Sequence, residues 1–156
     1  MDHNQMRYTT YTSKHSDIIE QGIEPIQTFL TEESTQEKLN LLFCMDKYLD
    51  PWFGYNLPHF DEIIFLLEQH LFLQENDEVK EEIIQLLCMY SLQNLDYIAE
   101  HINKIDPKWL SETVYALGLT YNPKYIPVIL PYTLDDNPAV QQSAAEALRL
   151  LEQVKN

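Results

Sequence analysis

Residues 116–151 carry the pattern that most constrains this chain. They read Ala116-Leu117-Gly118, Asn122-Pro123 and Tyr125-Ile126-Pro127-Val128-Ile129-Leu130, then Asp135-Asp136-Asn137-Pro138, Val140 and Ala144-Ala145-Glu146-Ala147-Leu148. Apolar residues recur three and four apart, the spacing of one helix face. The Asn-Pro pairs are punctuation. The amide oxygen accepts from N–H groups left over at a helix start, and proline supplies a pre-set φ where its missing N–H has no partner to lose. Two helical stretches joined by such a corner make a helical hairpin. A hairpin of this kind cannot bury its apolar side alone, so it needs neighbours of the same kind.

The same grammar runs upstream. Ile19, Ile23, Ile26 and Leu30 recur at helical spacing from about Ser16, interrupted by Gly22 and Pro25. Ser34-Thr35-Gln36-Glu37 has the form of a capping box and opens a helix with Leu39, Leu42 or Phe43, and Met45 inward. Further helices are expected on Phe60 to Leu71, Val79 to Tyr90, Leu95 to Ile102, Leu110 to Leu117, Ile126 to Leu130 and Val140 to Leu151, eight in all. Residues 1–15 are polar and read as an arm that Tyr8 and Tyr11 can dock. Residues 46–58 hold Pro51, Pro58 and Gly54 and read as an inserted loop.

Internal offsets support repetition. Val79, Leu110 and Val140 stand 31 and 30 residues apart, and Ile83, Val114 and Ala144 follow the same register. Glu37, Leu42, Cys44 and Met45 match Glu81, Leu86, Cys88 and Met89 at an offset of 44. The excess over 31 is 13 residues, the length of the 46–58 segment. The expected fold class is therefore all-α, an αα-superhelix built as a short solenoid of about four antiparallel hairpins, with a 1–15 arm and a single repeat domain over 16–156.

The segment 116–151 resembles the HEAT-repeat family, especially its short bacterial form. The features that carry the resemblance are Ala116-Leu117-Gly118, Ile126-Pro127, Asn137-Pro138 with Val140, and Ala144-Ala145-Glu146-Ala147-Leu148. The match is good over this repeat, fair over 76–121 and weak over 16–58. Gln141 and Gln142 stand where the family usually carries a basic residue. The resemblance implies a scaffold, adaptor or inhibitor. Some HEAT-like proteins are immunity proteins of bacterial toxin systems, some are glycosylases acting on alkylated DNA, and phycobilin lyases carry similar repeats. Nothing in these residues supports a bilin site.

Charge narrows the partner. The formal net charge is −15 over 156 residues, which opposes binding to nucleic-acid phosphates and to anionic membrane surfaces. A basic protein partner fits, as does plain solubility. On the second helices of the hairpins, the stripe opposite the core carries Gln142, Glu146 and Arg149, with Glu112 and Tyr115, and Glu81 and Gln85, at equivalent positions. The proposed partner-binding face is acidic and amide-rich, whereas a glycosylase needs a basic groove. An ordinary solvated helix face is the competing reading. So it is for the acidic run Glu75 to Glu82, where negative charge at a helix start suits the macrodipole.

Trp52, Phe53 and Tyr55 crowd the 46–58 segment and are further candidates for partner contact. Buried aromatic area favours the opposite expectation, that these rings fold down to plug the gap made by the insertion. Cys44 and Cys88, both in apolar runs, read as buried free thiols. Free thiols and the lack of a signal-peptide apolar region lead to the expectation of a cytoplasmic location. His59 and His70 are eleven apart, on one helix face if a single helix runs through both, and read as surface residues. No catalytic residue, metal ligand or cofactor is expected: there is no HExxH, no Gly-rich phosphate loop and no GxSxG.

Overall fold

The computed structural model describes residues 9–91 and 94–155, the last two by backbone only. Among the described residues all regular structure is helical, with no strand. The elements are α1 (Ser13–Gln21), α2 (Ile23–Glu32), α3 (Thr35–Leu49), α4 (Phe60–Leu73), α5 (Asp77–Tyr90), α6 (Asp96–His101), α7 (Leu110–Gly118), α8 (Ile126–Ile129) and α9 (Pro138–Lys155), with 3-10 turns between several of them. The chain divides into two compact units, Met1–Phe60 and Asp61–Asn156.

In the first unit α1 packs on α2 and α3. The stretch expected as one interrupted helix is two. Gly22 sits at φ 116°, ψ −164°, a conformation closed to residues with a Cβ, and it ends α1 and opens α2. With this break the described residues hold nine α-helices where eight were expected. Ile19, Ile26, Leu30, Leu41, Leu42 and Met45 are fully buried. Ser34 caps α3 by accepting from the Glu37 N–H at 3.3 Å. The Glu37 carboxylate does not fold back onto the cap. It accepts from Nε2 of the buried His15 at 2.7 Å and pairs with Lys14, and these contacts lower its pKa. His15 Nδ1 accepts from the Thr12 N–H at 3.0 Å, so Nε2 carries the proton shared with Glu37. The end of the expected arm is thus helical and docked. Tyr11 lies on Phe43, and Thr10 N–H donates to Asn40; Tyr8 and the rest of 1–8 lie outside the described residues.

In the second unit α7 packs against both α5 and α9. The α7–α9 seam is built from small residues. Val140, Ala144, Ala147 and Leu151 of α9 are buried beside Val114, Ala116, Leu117 and Gly118 of α7. A Cβ placed on Gly118 would stand 2.6 Å from both Cα and Cβ of Ala147. Glycine here is therefore a matter of space, because the two backbones approach too closely for a methyl group. Ser111 and Ser143 link the same pair of helices, hydroxyl to hydroxyl at 2.6 Å.

Four Asx-Pro corners share one geometry. Asp50, Asp106, Asn122 and Asn137 each accept, through the side chain, from the N–H two residues on at 2.9–3.1 Å. The first three open 3-10 turns (Pro51–Phe53, Pro107–Trp109, Pro123–Tyr125) and the fourth opens α9.

α6 is six residues long and its start is capped largely by others. Asp96 N–H donates to Asn94, and Leu95 N–H donates to the Tyr125 hydroxyl at 2.6 Å. The Glu68 carboxyl of α4 stands by the Tyr97 and Ile98 amides, whose pull lowers its pKa against burial. The Tyr125 hydroxyl in turn donates to Asp96, which also pairs with Lys124 at 2.9 Å. The first intrahelical bond of α6 runs from the Ala99 N–H to the Leu95 carbonyl at 3.0 Å.

Candidate functional site

Two of the expected partner-binding groups have clear geometry, one in each unit. In the second unit α5 and α7 frame a groove with a cavity of about 360 Å³. Glu81 and Gln85 stand one turn apart on α5; Glu112 and Tyr115 face them from α7. Four residues singled out in the sequence therefore line one groove, because α5 packs on α7.

Between these polar residues lies an apolar floor that the sequence analysis missed. Ile84 and Trp109 are buried, Cys88 is half-buried and Met89 is 64% exposed. The signal for Met89 was present, since it continues the Glu81–Gln85 stripe by another four residues. Its counterpart at the 44-residue offset, Met45, is fully buried as expected, so the offset does not carry burial from one methionine to the other. Trp109 follows Pro107 in the 3-10 turn that precedes α7, and that turn brings its ring to the groove.

Chemically the groove suits recognition. Glu81 and Glu112 are the charged residues that line it, with no cation among the lining groups. The Cys88 thiol is pushed up to about 11, first by burial and then by the Glu112 charge. It stays protonated at neutral pH and is a poor nucleophile. Cys88 is more open than the fully buried thiol expected; Cys44 is buried as expected, and burial raises its pKa as well. Among the described residues no group of three or more His, Cys, Asp or Glu stands placed to hold a metal ion, and no helix is long and apolar enough to cross a membrane.

The remaining expected residues of the stripe lie on α9 and do not line the groove. Gln142 and Arg149 are exposed; Glu146 is half-buried and accepts from the Gln142 amide at 3.4 Å.

No protein-family model, curated protein or solved structure matches this chain.

In the first unit the aromatic segment is not a plug. α3 runs through Leu49, four residues into the expected loop, and the 3-10 turn Pro51–Phe53 follows. Trp52 is 85% exposed, Phe53 51% and Tyr55 42%. Two contacts hold the base of this cluster. Tyr55 lies on Tyr48 with ring centroids 4.4 Å apart, and Lys47 reaches over Tyr11, Phe53 and Tyr55, each at 5.8 Å. The Asp50 cap and Gly54 at φ 73° hold the tight turn that keeps Trp52 at its outer end, so the rings cannot fold down.

Two histidine expectations also change. His70 is buried, with Nδ1 2.9 Å from the Gln74 amide nitrogen, and is not a surface residue. His59 precedes α4, so it does not share a helix face with His70; its Nε2 donates to the Ile19 carbonyl at 3.2 Å.

Proposed function

We propose that this chain is a non-catalytic protein-binding module, built as a short stack of HEAT-like hairpins, whose α5–α7 groove takes a basic segment of a protein partner. The observation that carries this reading is the groove itself: an apolar floor of Ile84, Met89 and Trp109 bordered by Glu81 and Glu112, without a cation among its lining residues. Its occupant is a segment with an apolar anchor flanked by Lys or Arg. The anchor gains from burial against Met89 and Trp109, and the flanking cations meet the two carboxylates. The packing of α7 on both α5 and α9 supports the stacked-hairpin arrangement. The net charge of −15 favours an inhibitor of a basic toxin or nuclease as the concrete form, because a long-range field of that sign speeds encounter with a cationic target.

A peptide library selected against the wild-type chain tests this, with Met89→Lys/Glu112→Lys as the counter-selecting variant. Enriched peptides are expected to carry Lys or Arg beside one large apolar residue. In a Trp52→Phe background Trp109 is the remaining tryptophan, and its emission is expected to shift on binding. Enrichment of acidic or uncharged peptides, or binding that leaves Trp109 emission unchanged, overturns the reading.

A further inference from the structure

A second cavity, of about 700 Å³, lies between α4 and α6 in the same unit. Its wall is acidic and aromatic. Asp61 and Glu68 come from α4 and Asp96 and Glu100 from α6, with the rings of Phe65 and Tyr97 in edge contact at 5.6 Å. Among the described residues no Lys or Arg lines it. Glu68 stands apart from the other carboxylates. It is 3% exposed, and among the described residues its buried Oε2 has no hydrogen-bond partner; the nearby Tyr97 and Ile98 amides pull its pKa down. A buried carboxyl oxygen left unsatisfied is costly, and a carboxylate on a cavity wall has an obvious complement.

We propose that this cavity binds an alkylammonium group, with the ammonium against Glu68 and the methylenes along Phe65 and Tyr97. The size suits a small ligand. The rings supply apolar area and a cation–π face. Asp96 is already paired with Lys124 and hydrogen-bonded by Tyr125, which leaves Asp61, Glu68 and Glu100 to meet the incoming charge. His101, stacked on Tyr97 at 4.2 Å, is held by its Nδ1–H bond to the Tyr97 carbonyl.

The empty site manages its charge by holding a proton. Burial, reinforced by the charges of Asp96 and Glu100, pushes the Glu68 carboxyl up to about 8 against the two amide bonds that pull it down. At pH 7 it is mostly neutral. An ammonium beside it favours the ionised form, so the ligand enters as the proton leaves, and the charge of the site is exchanged rather than added.

This gives a readout that diffuse attraction to an acidic protein does not. Cadaverine and spermidine are titrated calorimetrically into the full chain at pH 7, in buffers of low and high ionisation enthalpy. Saturable binding is expected with release of close to one proton per site. Glu68→Gln keeps the shape and an amide-accepting oxygen; it is expected to lose proton release and to bind at least tenfold more weakly. Glu100→Gln, at an exposed position, is expected to weaken binding several-fold without altering the melting curve. A parallel titration with Nα-acetyl-lysine amide identifies the source of the ammonium. Tighter binding of the diamine assigns a free amine, and tighter binding of the lysine derivative assigns a protein side chain. Heats independent of buffer and equal in Glu68→Gln, or no saturation by any of the three, overturn the proposal.

Discussion

Gly118→Ala tests the packing of the second unit at its tightest point. The added methyl would lie 2.6 Å from both Cα and Cβ of Ala147 and 3.3 Å from its carbonyl oxygen. Carbon atoms in contact prefer about 3.5–4.0 Å, so the overlap is roughly an ångström. The nearest obstacle is the backbone of α9, which has no rotamer to escape into. Relief requires α7 and α9 to part, and that opens the seam along Val140, Ala144, Ala147 and Leu151, each 0–1% exposed. Overpacking of this kind costs about 1–3 kcal/mol. Replacing glycine in a helix returns up to about 1 kcal/mol, and less here because Gly118 is the last residue of α7. The expected net loss is about 1–2 kcal/mol, or roughly 2–8 °C in Tm for a chain of this size. Urea unfolding followed by circular dichroism measures it at constant protein concentration. The double variant Gly118→Ala/Ala147→Gly removes one of the two clashing atoms and is expected to recover part of the loss, not all, since Cα of residue 147 still obstructs. A Gly118→Ala protein as stable as wild type would refute the claim that backbone proximity holds glycine at this position.

Two further outcomes are expected. Glu68 holds its proton in the folded chain up to about pH 8, against an ordinary value of 4.5; the folded state binds the extra proton between these values, so the stabilisation is full below about pH 4.5 and is lost as the pH rises through 8. Glu68→Gln is therefore expected to flatten the fall in urea midpoint between about pH 5 and 9, and to exceed wild type by about 1–3 kcal/mol at the alkaline end; parallel profiles for the two proteins would contradict this. Gly22→Ala meets no atom within 4 Å but must adopt φ 116°; backbone strain alone is expected to cost about 1–3 kcal/mol, and an unchanged Tm would show that the α1–α2 junction yields.

Much of this architecture was legible because it is written in local chemistry. An Asx-Pro pair has few conformations open to it, and all four corners form the same cap. The 31-residue offset paired Glu81 with Glu112, and these line one groove together with Gln85 and Tyr115. What escaped depends on distant partners. Met89 continues the polar Glu81–Gln85 stripe, and an apolar residue there gives no local sign of the groove that α7 completes. The aromatic segment read as a plug because ring area favours burial, while the decisive fact is the tight turn between Asp50 and Gly54 that points Trp52 outward. Glu68 left a trace in its own helix, standing four residues after Ile64 and three before Leu71 on a buried stripe. A carboxylate at such a position signals either a distant amide to cap or a site, and spacing alone gives no hint of α6 waiting to be capped.

The borrowed cap of α6 bears on how the chain acquires its structure. One turn and a half of helix has too little internal cooperativity to persist alone in water. The hydroxyl that steadies its entrance arrives from 30 residues downstream. α6 thus depends for its start on the segment around Tyr125, and the 700 Å³ chamber that α6 helps to wall shares that dependence.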